Sequence, residues 1–196
     1  MSKIYFFNGW GMDKNLLKPV KNSTEYDIEV IDFPYDIDKN FIGMNDIFMG
    51  YSFGVYYLNK FLSENKDLKY KKAVGINGLP ETIGNFGINE KMFNLTLNTL
   101  NEENLEKFFI NMDIDNSFCK SNKSFDEIKN ELQFFKDNYK IIDNHIDFYY
   151  VGKNDRIIPA NRLEKYCQNY NLAYKLIECG HYPFSYFKDF KNILDI

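Results

Sequence analysis

Short apolar runs that alternate with amphipathic helical patterns constrain this chain more than any other feature. Runs at residues 3–7, 28–32, 46–49, 72–77, 146–151 and 173–178 have strand length, and several are continuously apolar or aromatic. Such strands belong in a parallel sheet covered on both faces. Between and after them, helical patterns occupy 53–65, 102–112, 125–138 and 161–170. In the third of these, Phe125, Ile128, Leu132 and Phe135 share a face, so the helix must pack on something. Ser124 and Glu127 form a capping box at its start, and Pro159 fits the start of the fourth. Strands alternating with helices imply an α/β fold with a mostly parallel sheet. One stretch, 82–140, interrupts that rhythm with mainly helical sequence.

Bulk properties narrow the function. The chain has 196 residues, enough for one domain with one sizeable core. Hydrophobic residues at 44% and charged residues at 27% give the balance of a soluble globular protein. A net charge of −4 argues against general nucleic-acid binding, while leaving room for a local basic patch facing an acidic partner. No apolar run approaches the roughly 18 residues of a membrane span. The N-terminal run is too short for a secretory signal and is broken by Asn8 and Gly9. Cys119, Cys167 and Cys179 are odd in number and form no CxxC pair, so neither a disulfide framework nor a zinc knuckle is indicated. With only two histidines, a histidine-rich metal site is not indicated either. A cytoplasmic protein with reduced thiols is the expectation.

In a parallel sheet, reactive residues gather at the carboxyl ends of strands. The stretch MGYSFGVYY at 49–57 sets Ser52 in a G-x-S-x-G pattern between an apolar run and a helical one. Alone this is weak. Other loops strengthen it: Asn8-Gly9-Trp10-Gly11 follows the first predicted strand, Gly152-Lys153-Asn154-Asp155 the fifth and Cys179-Gly180-His181 the sixth. The resulting order Ser52…Asp155…His181 is that of a hydrolase triad on an α/β sheet. A serine hydroxyl needs a base as it attacks, imidazole titrates near working pH, and a carboxylate fixes the imidazole tautomer. An oxyanion needs backbone N–H donors. Phe53, directly after the serine at a helix start, should supply one, and Trp10 is the best-placed second. Asp143 and Asp147 precede or lie within a strand, His145 opens it, and Asp13 reads as a helix cap, so none of these is given chemistry.

The segments FFNGWGMD (6–13), GYSFGV (50–55), INGLPETIGNFGI (76–88), VGKNDRIIP (151–159) and GHYPF (180–184) carry a resemblance. The chain resembles the α/β-hydrolase superfamily over nearly its whole length. More narrowly, it is similar to the compact BioG-type pimeloyl-[acyl-carrier protein] methyl ester esterases of biotin synthesis. That resemblance implies a compact α/β-hydrolase domain spanning 1–196, with a small helical cap inserted at about 82–140. It implies Ser52 as nucleophile, Asp155 as acid, His181 as base, and the Trp10 and Phe53 amides as oxyanion donors. The implied reaction hydrolyses a methyl ester, with no metal or organic cofactor, on a substrate borne by acyl-carrier protein, once the seven-carbon diacid chain is complete. Asn8 departs from the superfamily, where a histidine commonly precedes the first glycine, and should bear on loop support. Phe86, Phe93, Phe108, Phe109, Phe125, Phe134 and Phe135 could line an acyl channel, and Lys120, Lys123 and Lys129 could meet the carrier. Two other readings stay open: an esterase or thioesterase on free small acyl substrates, and a non-catalytic hydrolase-fold ligand-binding protein.

Overall fold

Each predicted apolar run forms a strand. The computed structural model of the chain describes residues 2–24 and 26–195, and its strands are β1 (Lys3–Phe7), β2 (Asp27–Ile31), β3 (Ile47–Tyr51), β4 (Lys72–Ile76), β5 (Phe148–Gly152) and β6 (Ala173–Ile177). They make one sheet in the order β2-β1-β3-β4-β5-β6, and every neighbouring pair is parallel. The inner strands are buried along almost their whole length, whereas β2 and β6, at the edges, are half-exposed. Continuous apolarity in the middle strands therefore follows from coverage on both faces.

The chain leaves β1 toward β2 on one side and returns to β3 on the other. That reversal opens a crevice beyond the carboxyl ends of β1 and β3. The loops carrying Trp10 and Ser52 flank it.

β3 reaches further than the sequence suggests, because Gly50 and Tyr51 pair with Gly75 and Ile76 rather than entering the loop. Only Ser52 then separates β3 from helix α1 (Phe53–Glu64). Between β4 and β5 stand α2 (Glu90–Thr99), α3 (Glu102–Asn111) and α4 (Phe125–Asn138). The α4 capping box is present in both directions, and its buried face is Ile128, Glu131, Leu132 and Phe135, with Phe125 half-buried. α2 has no separate counterpart in the sequence reading; the Asn89 side chain accepts from Lys91 N–H and starts it. Helix α5 (Ala160–Asn169) begins one residue after Pro159. Helix α6 (Phe190–Leu194) spans five residues, too few to show a period in sequence. Among the described residues no helix is long and apolar enough to cross a membrane.

Candidate active site

Ser52 has φ 54° and ψ −121°, a conformation that L residues adopt only when their surroundings impose it. Its N–H donates to Ile76 O at 3.0 Å. The flanking glycines are steric requirements. A Cβ at Gly50 would meet Val55 Cα at 2.7 Å, and one at Gly54 would run into the Phe7 carbonyl oxygen. Gly78, on the β4 loop, approaches the Ser52 carbonyl as closely. Two glycines in the pentapeptide thus let three backbone segments converge on one serine.

His181 Nε2 lies 2.9 Å from Ser52 Oγ, and its Nδ1 lies 2.7 Å from Asp155 Oδ2. All three are buried, at 6%, 1% and 7% exposure for Ser52, His181 and Asp155. Asp155 Oδ1 accepts from the N–H groups of Ile157 and Ile158 at 2.8 and 2.9 Å, which fixes the carboxylate plane. With Nδ1–H donating to Asp155, the Ser52 hydroxyl donates to Nε2, the arrangement a proton transfer from serine requires.

Asn77 was not singled out from sequence. It follows β4 at φ 46° and is fully buried. Its Nδ2 donates to the carbonyls of Gly180 and His181, both at 2.9 Å, and its Oδ1 accepts from Gly152 N–H at 2.7 Å. One amide therefore ties the β4 end to the two loops that carry Asp155 and His181. The available signal was an Asn-Gly pair closing an apolar strand, as Asn8-Gly9 closes the first.

The loop after β1 lies over the serine. A Cβ at Gly9 would touch Ser52 Cβ at 3.4 Å and the Tyr51 ring at 3.1 Å. Asn8 supports this loop: its Nδ2 donates to Asp13 O and Asp32 Oδ1 at 2.9 Å each, and its Oδ1 accepts from Gly9 N–H at 3.0 Å. Trp10 and Phe53 both line the pocket with Ser52 and His181. Among the described residues, neither Trp10 N–H nor Phe53 N–H has an acceptor.

The pocket has a volume of about 490 Å³. Trp10, Phe53, Phe93 and Leu132 form its buried apolar wall, while Met92, Leu95, Lys107 and Arg156 stand exposed at its mouth. Of the aromatics expected in an acyl channel, Phe93 and Phe108 line the pocket. Phe135 is stacked behind Phe53 at 4.3 Å, Phe109 packs on Phe118, Phe86 on Tyr166 and Phe134 on Phe33. Lys120 pairs with Glu106 at 2.5 Å and Lys123 with buried Glu131 at 3.1 Å, so their charge is met within the chain; Lys129 is exposed. Arg156 and Arg162, the only arginines in the sequence, both line the pocket. Arg162 also donates to Gly87 O at 2.6 Å.

The remaining acidic and histidine candidates lie elsewhere. Asp147 accepts from Ala73 N–H at 2.7 Å, at the amino end of the sheet, and His145 N–H donates to Asn59 Oδ1 at 2.7 Å. Asp13 caps the 3-10 turn Lys14–Leu17 and accepts from Asn122 N–H at 2.9 Å. Burial pushes the thiols of Cys167 and Cys179 each up to about 12, so neither is a nucleophile near neutral pH. Among the described residues, no group of three or more His, Cys, Asp or Glu side chains could hold a metal ion.

Comparison with known proteins agrees with this geometry at the level of fold and family. The family described as "Pimeloyl-ACP methyl esterase BioG" matches residues 2–193. The crystal structure of BioG from Haemophilus influenzae superposes with a TM-score of 0.84 at 24% identity, over 99% of this chain and 95% of that one. Naproxen esterase (carboxylesterase NP) from Bacillus subtilis superposes with a TM-score of 0.60 at 12% identity, over 98% of this chain and 82% of that one. A malonyl-[acyl-carrier protein] O-methyltransferase from Bacteroides fragilis (strain 638R) is 28% identical over 200 residues, covering 91% of this chain. The chain spans only 39% of that relative's length. With an α/β-hydrolase sheet and a family match along nearly its whole length, this chain belongs to the pimeloyl-ACP methyl esterase BioG family.

Proposed function

We propose that the chain is a serine carboxylesterase that hydrolyses the methyl ester of pimeloyl-[acyl-carrier protein] methyl ester to the free acid. The observation that carries this reading is the hydrogen-bonded series Asp155–His181–Ser52 in an apolar pocket beside two amides that have no acceptor among the described residues. Ser52 Oγ attacks the ester carbonyl as His181 Nε2 takes its proton, and Asp155 stabilises the imidazolium. The oxyanion forms against the N–H groups of Trp10 and Phe53, the latter at the positive end of α1. Methanol leaves with the proton from His181. Water, deprotonated by the same imidazole, then releases the acid from the serine. This chemistry uses only side chains and amides. A binding protein without turnover would have no use for a strained serine aligned on an imidazole.

Segment 82–140 acts as a cap in this reading, with α2 and α3 contributing Phe93 and Phe108 to the acyl site. Lys120 and Lys123 are paired within the chain, and so is Lys107, with Glu103 at 2.6 Å, which shifts the expected carrier contact to Arg156 at the pocket mouth. That cation stands where the acidic partner delivering a tethered acyl chain would arrive. The Bacteroides relative, named for adding a methyl group to a carrier-bound malonyl unit, contains a region similar to this chain. Removal of a carrier-bound methyl ester is the complementary step. Carrier-bound substrate and free thiols, two of the three buried, together support a cytoplasmic location.

The test is hydrolysis by purified protein of one acyl methyl ester, free and carrier-linked. Faster turnover of the carrier-linked form, abolished in Ser52→Ala, supports the proposal. Equal turnover of both forms would favour an esterase of free small acyl substrates, and turnover of neither would favour the ligand-binding reading.

A further inference from the structure

Glu131 is an ionisable side chain on the core-facing side of α4, 1% exposed, between Ile128, Leu132 and Phe135. A carboxylate there is costly unless it is fully hydrogen-bonded, so its partners indicate its use. Oε2 accepts from Gly11 N–H at 3.2 Å and from Lys123 Nζ at 3.1 Å. Oε1 lies 3.3 Å from the Tyr35 hydroxyl, which is also 3.0 Å from the Asn8 carbonyl oxygen. Gly11 is therefore tied directly to the carboxylate, and the single Tyr35 hydroxyl proton, shared between Asn8 O and Glu131 Oε1 in a three-centre bond, bridges Asn8 to it. From the same face of α4, the Ile128 carbonyl accepts from Trp10 Nε1–H at 2.8 Å.

The amides of this loop show what the tethers leave over. Asn8 N–H donates to Ile31 O, Gly9 N–H to Asn8 Oδ1, Gly11 N–H to Glu131 and Met12 N–H to Gly9 O. Trp10 N–H alone in residues 8–12 has no acceptor among the described residues, and Trp10 lines the pocket with Ser52. Gly11 has φ +69°, and a Cβ there would press on Ile128 Cγ2 at 3.1 Å, so the loop is seated directly on α4.

We propose that Glu131 is a positioning residue for the oxyanion site: by holding Gly11 N–H and the Asn8–Tyr35 link, it aims the Trp10 amide at the carbonyl oxygen above Ser52. Helix α4 is thus a fixed part of the acyl-transfer site. The inference rests on the esterase reading above.

Glu131→Ala, assayed with p-nitrophenyl butyrate, should lower kcat by about 10- to 100-fold, bounded by the loss of a whole oxyanion donor. KM should stay within about 3-fold, because the ground state does not use the amide. The inhibition constant of an alkyl trifluoromethyl ketone, which forms a tetrahedral adduct, should rise in proportion to the loss of kcat/KM. Glu131→Gln keeps an acceptor for Gly11 N–H and an amide that can donate to Tyr35, so it should restore kcat to within about 3-fold of wild type. Asp46→Asn serves as the stability control: that buried carboxylate holds Lys3 N–H and Gly43 N–H at the far end of the sheet and should lower Tm without lowering kcat.

If Glu131→Ala lowers Tm but keeps kcat, raises KM alone, or is matched in its loss by Glu131→Gln, the proposal is overturned. Should Glu131→Ala not fold, Tyr35→Phe decides: kcat reduced about 3- to 10-fold at unchanged KM supports the proposal, and unchanged kcat overturns it. A wild-type protein that hydrolyses no ester sinks the esterase reading itself. An active wild type with unaffected Glu131 and Tyr35 variants sinks only this inference.

Discussion

Asn77→Asp changes one nitrogen to oxygen at the junction of the β4, β5 and β6 ends. The retained oxygen still accepts from Gly152 N–H at 2.7 Å, but the new one faces the Gly180 and His181 carbonyl oxygens, each 2.9 Å from the original nitrogen. Two hydrogen bonds are lost and both carbonyls stay buried. At about 1–3 kcal/mol for each unsatisfied group, the cost is about 2–6 kcal/mol, a large share of a typical folding free energy. For a chain of this size, a loss near the middle of that range lowers Tm by about 8–16 °C. Activity should fall further than stability, since repulsion at the His181 carbonyl moves the imidazole off Ser52, and a displacement of about 1 Å costs about 100-fold in kcat.

The pH dependence of the variant is a second signature. Burial among carbonyls raises the folded pKa of the new carboxyl above its unfolded value of about 3.9. Below that value both states are protonated, and the single proton restores one of the two donors. As pH rises through the folded pKa, the unfolded state ionises more readily and stability is lost. The Tm deficit relative to wild type should therefore be smallest at pH 4 and largest near neutrality. Thermal denaturation from pH 4 to 8, with kcat on p-nitrophenyl butyrate at pH 7.5, measures both. A Tm within about 2 °C of wild type at neutral pH, with kcat preserved, would refute the role given to the amide.

Other outcomes follow from the same geometry. Asp155→Asn should lower kcat by about 1,000- to 10,000-fold through the wrong imidazole tautomer, with the fold intact by circular dichroism, whereas His145→Ala should stay within about 3-fold. Charge reversal at Arg156 should raise KM for the carrier-linked ester at low salt and lose that effect as salt rises, while free-ester KM changes less and shows no such salt dependence. The same reversal at Lys120 and Lys123, which are paired within the chain, should show no such salt-dependent effect on carrier. Native alkylation with iodoacetamide at pH 8, followed by mass spectrometry, should spare Cys167 and Cys179, because burial holds both thiols up at about 12.

The sheet was legible because its signal is local. Each strand is a short apolar run, and each observed end falls within two residues of the end read from sequence. The meeting of Ser52, Asp155 and His181 was legible through chain order, since a parallel sheet brings the carboxyl ends of β3, β5 and β6 to one edge. What escaped the sequence was long-range hydrogen bonding. Asn77 and Glu131 look like an ordinary loop asparagine and a helix glutamate, and their partners lie 75 to 104 and 96 to 120 residues away for the bonds that matter. Pairing of Lys120 with Glu106 and of Lys123 with Glu131 is closer in sequence but joins loop to helix, so part of a basic cluster in sequence became two ion pairs in the fold. Helix α2 was submerged because its exposed Met92 and Leu95 line the mouth of a pocket rather than facing solvent as polar residues would.

The most direct measurement is peptide mapping after reaction with a fluorophosphonate, with and without pimeloyl-[acyl-carrier protein] methyl ester present. The account predicts one adduct, on Ser52, formed more slowly when the carrier-linked ester competes and not formed in His181→Ala. An adduct on a different residue, or full esterase activity in protein that takes up no label, would contradict it.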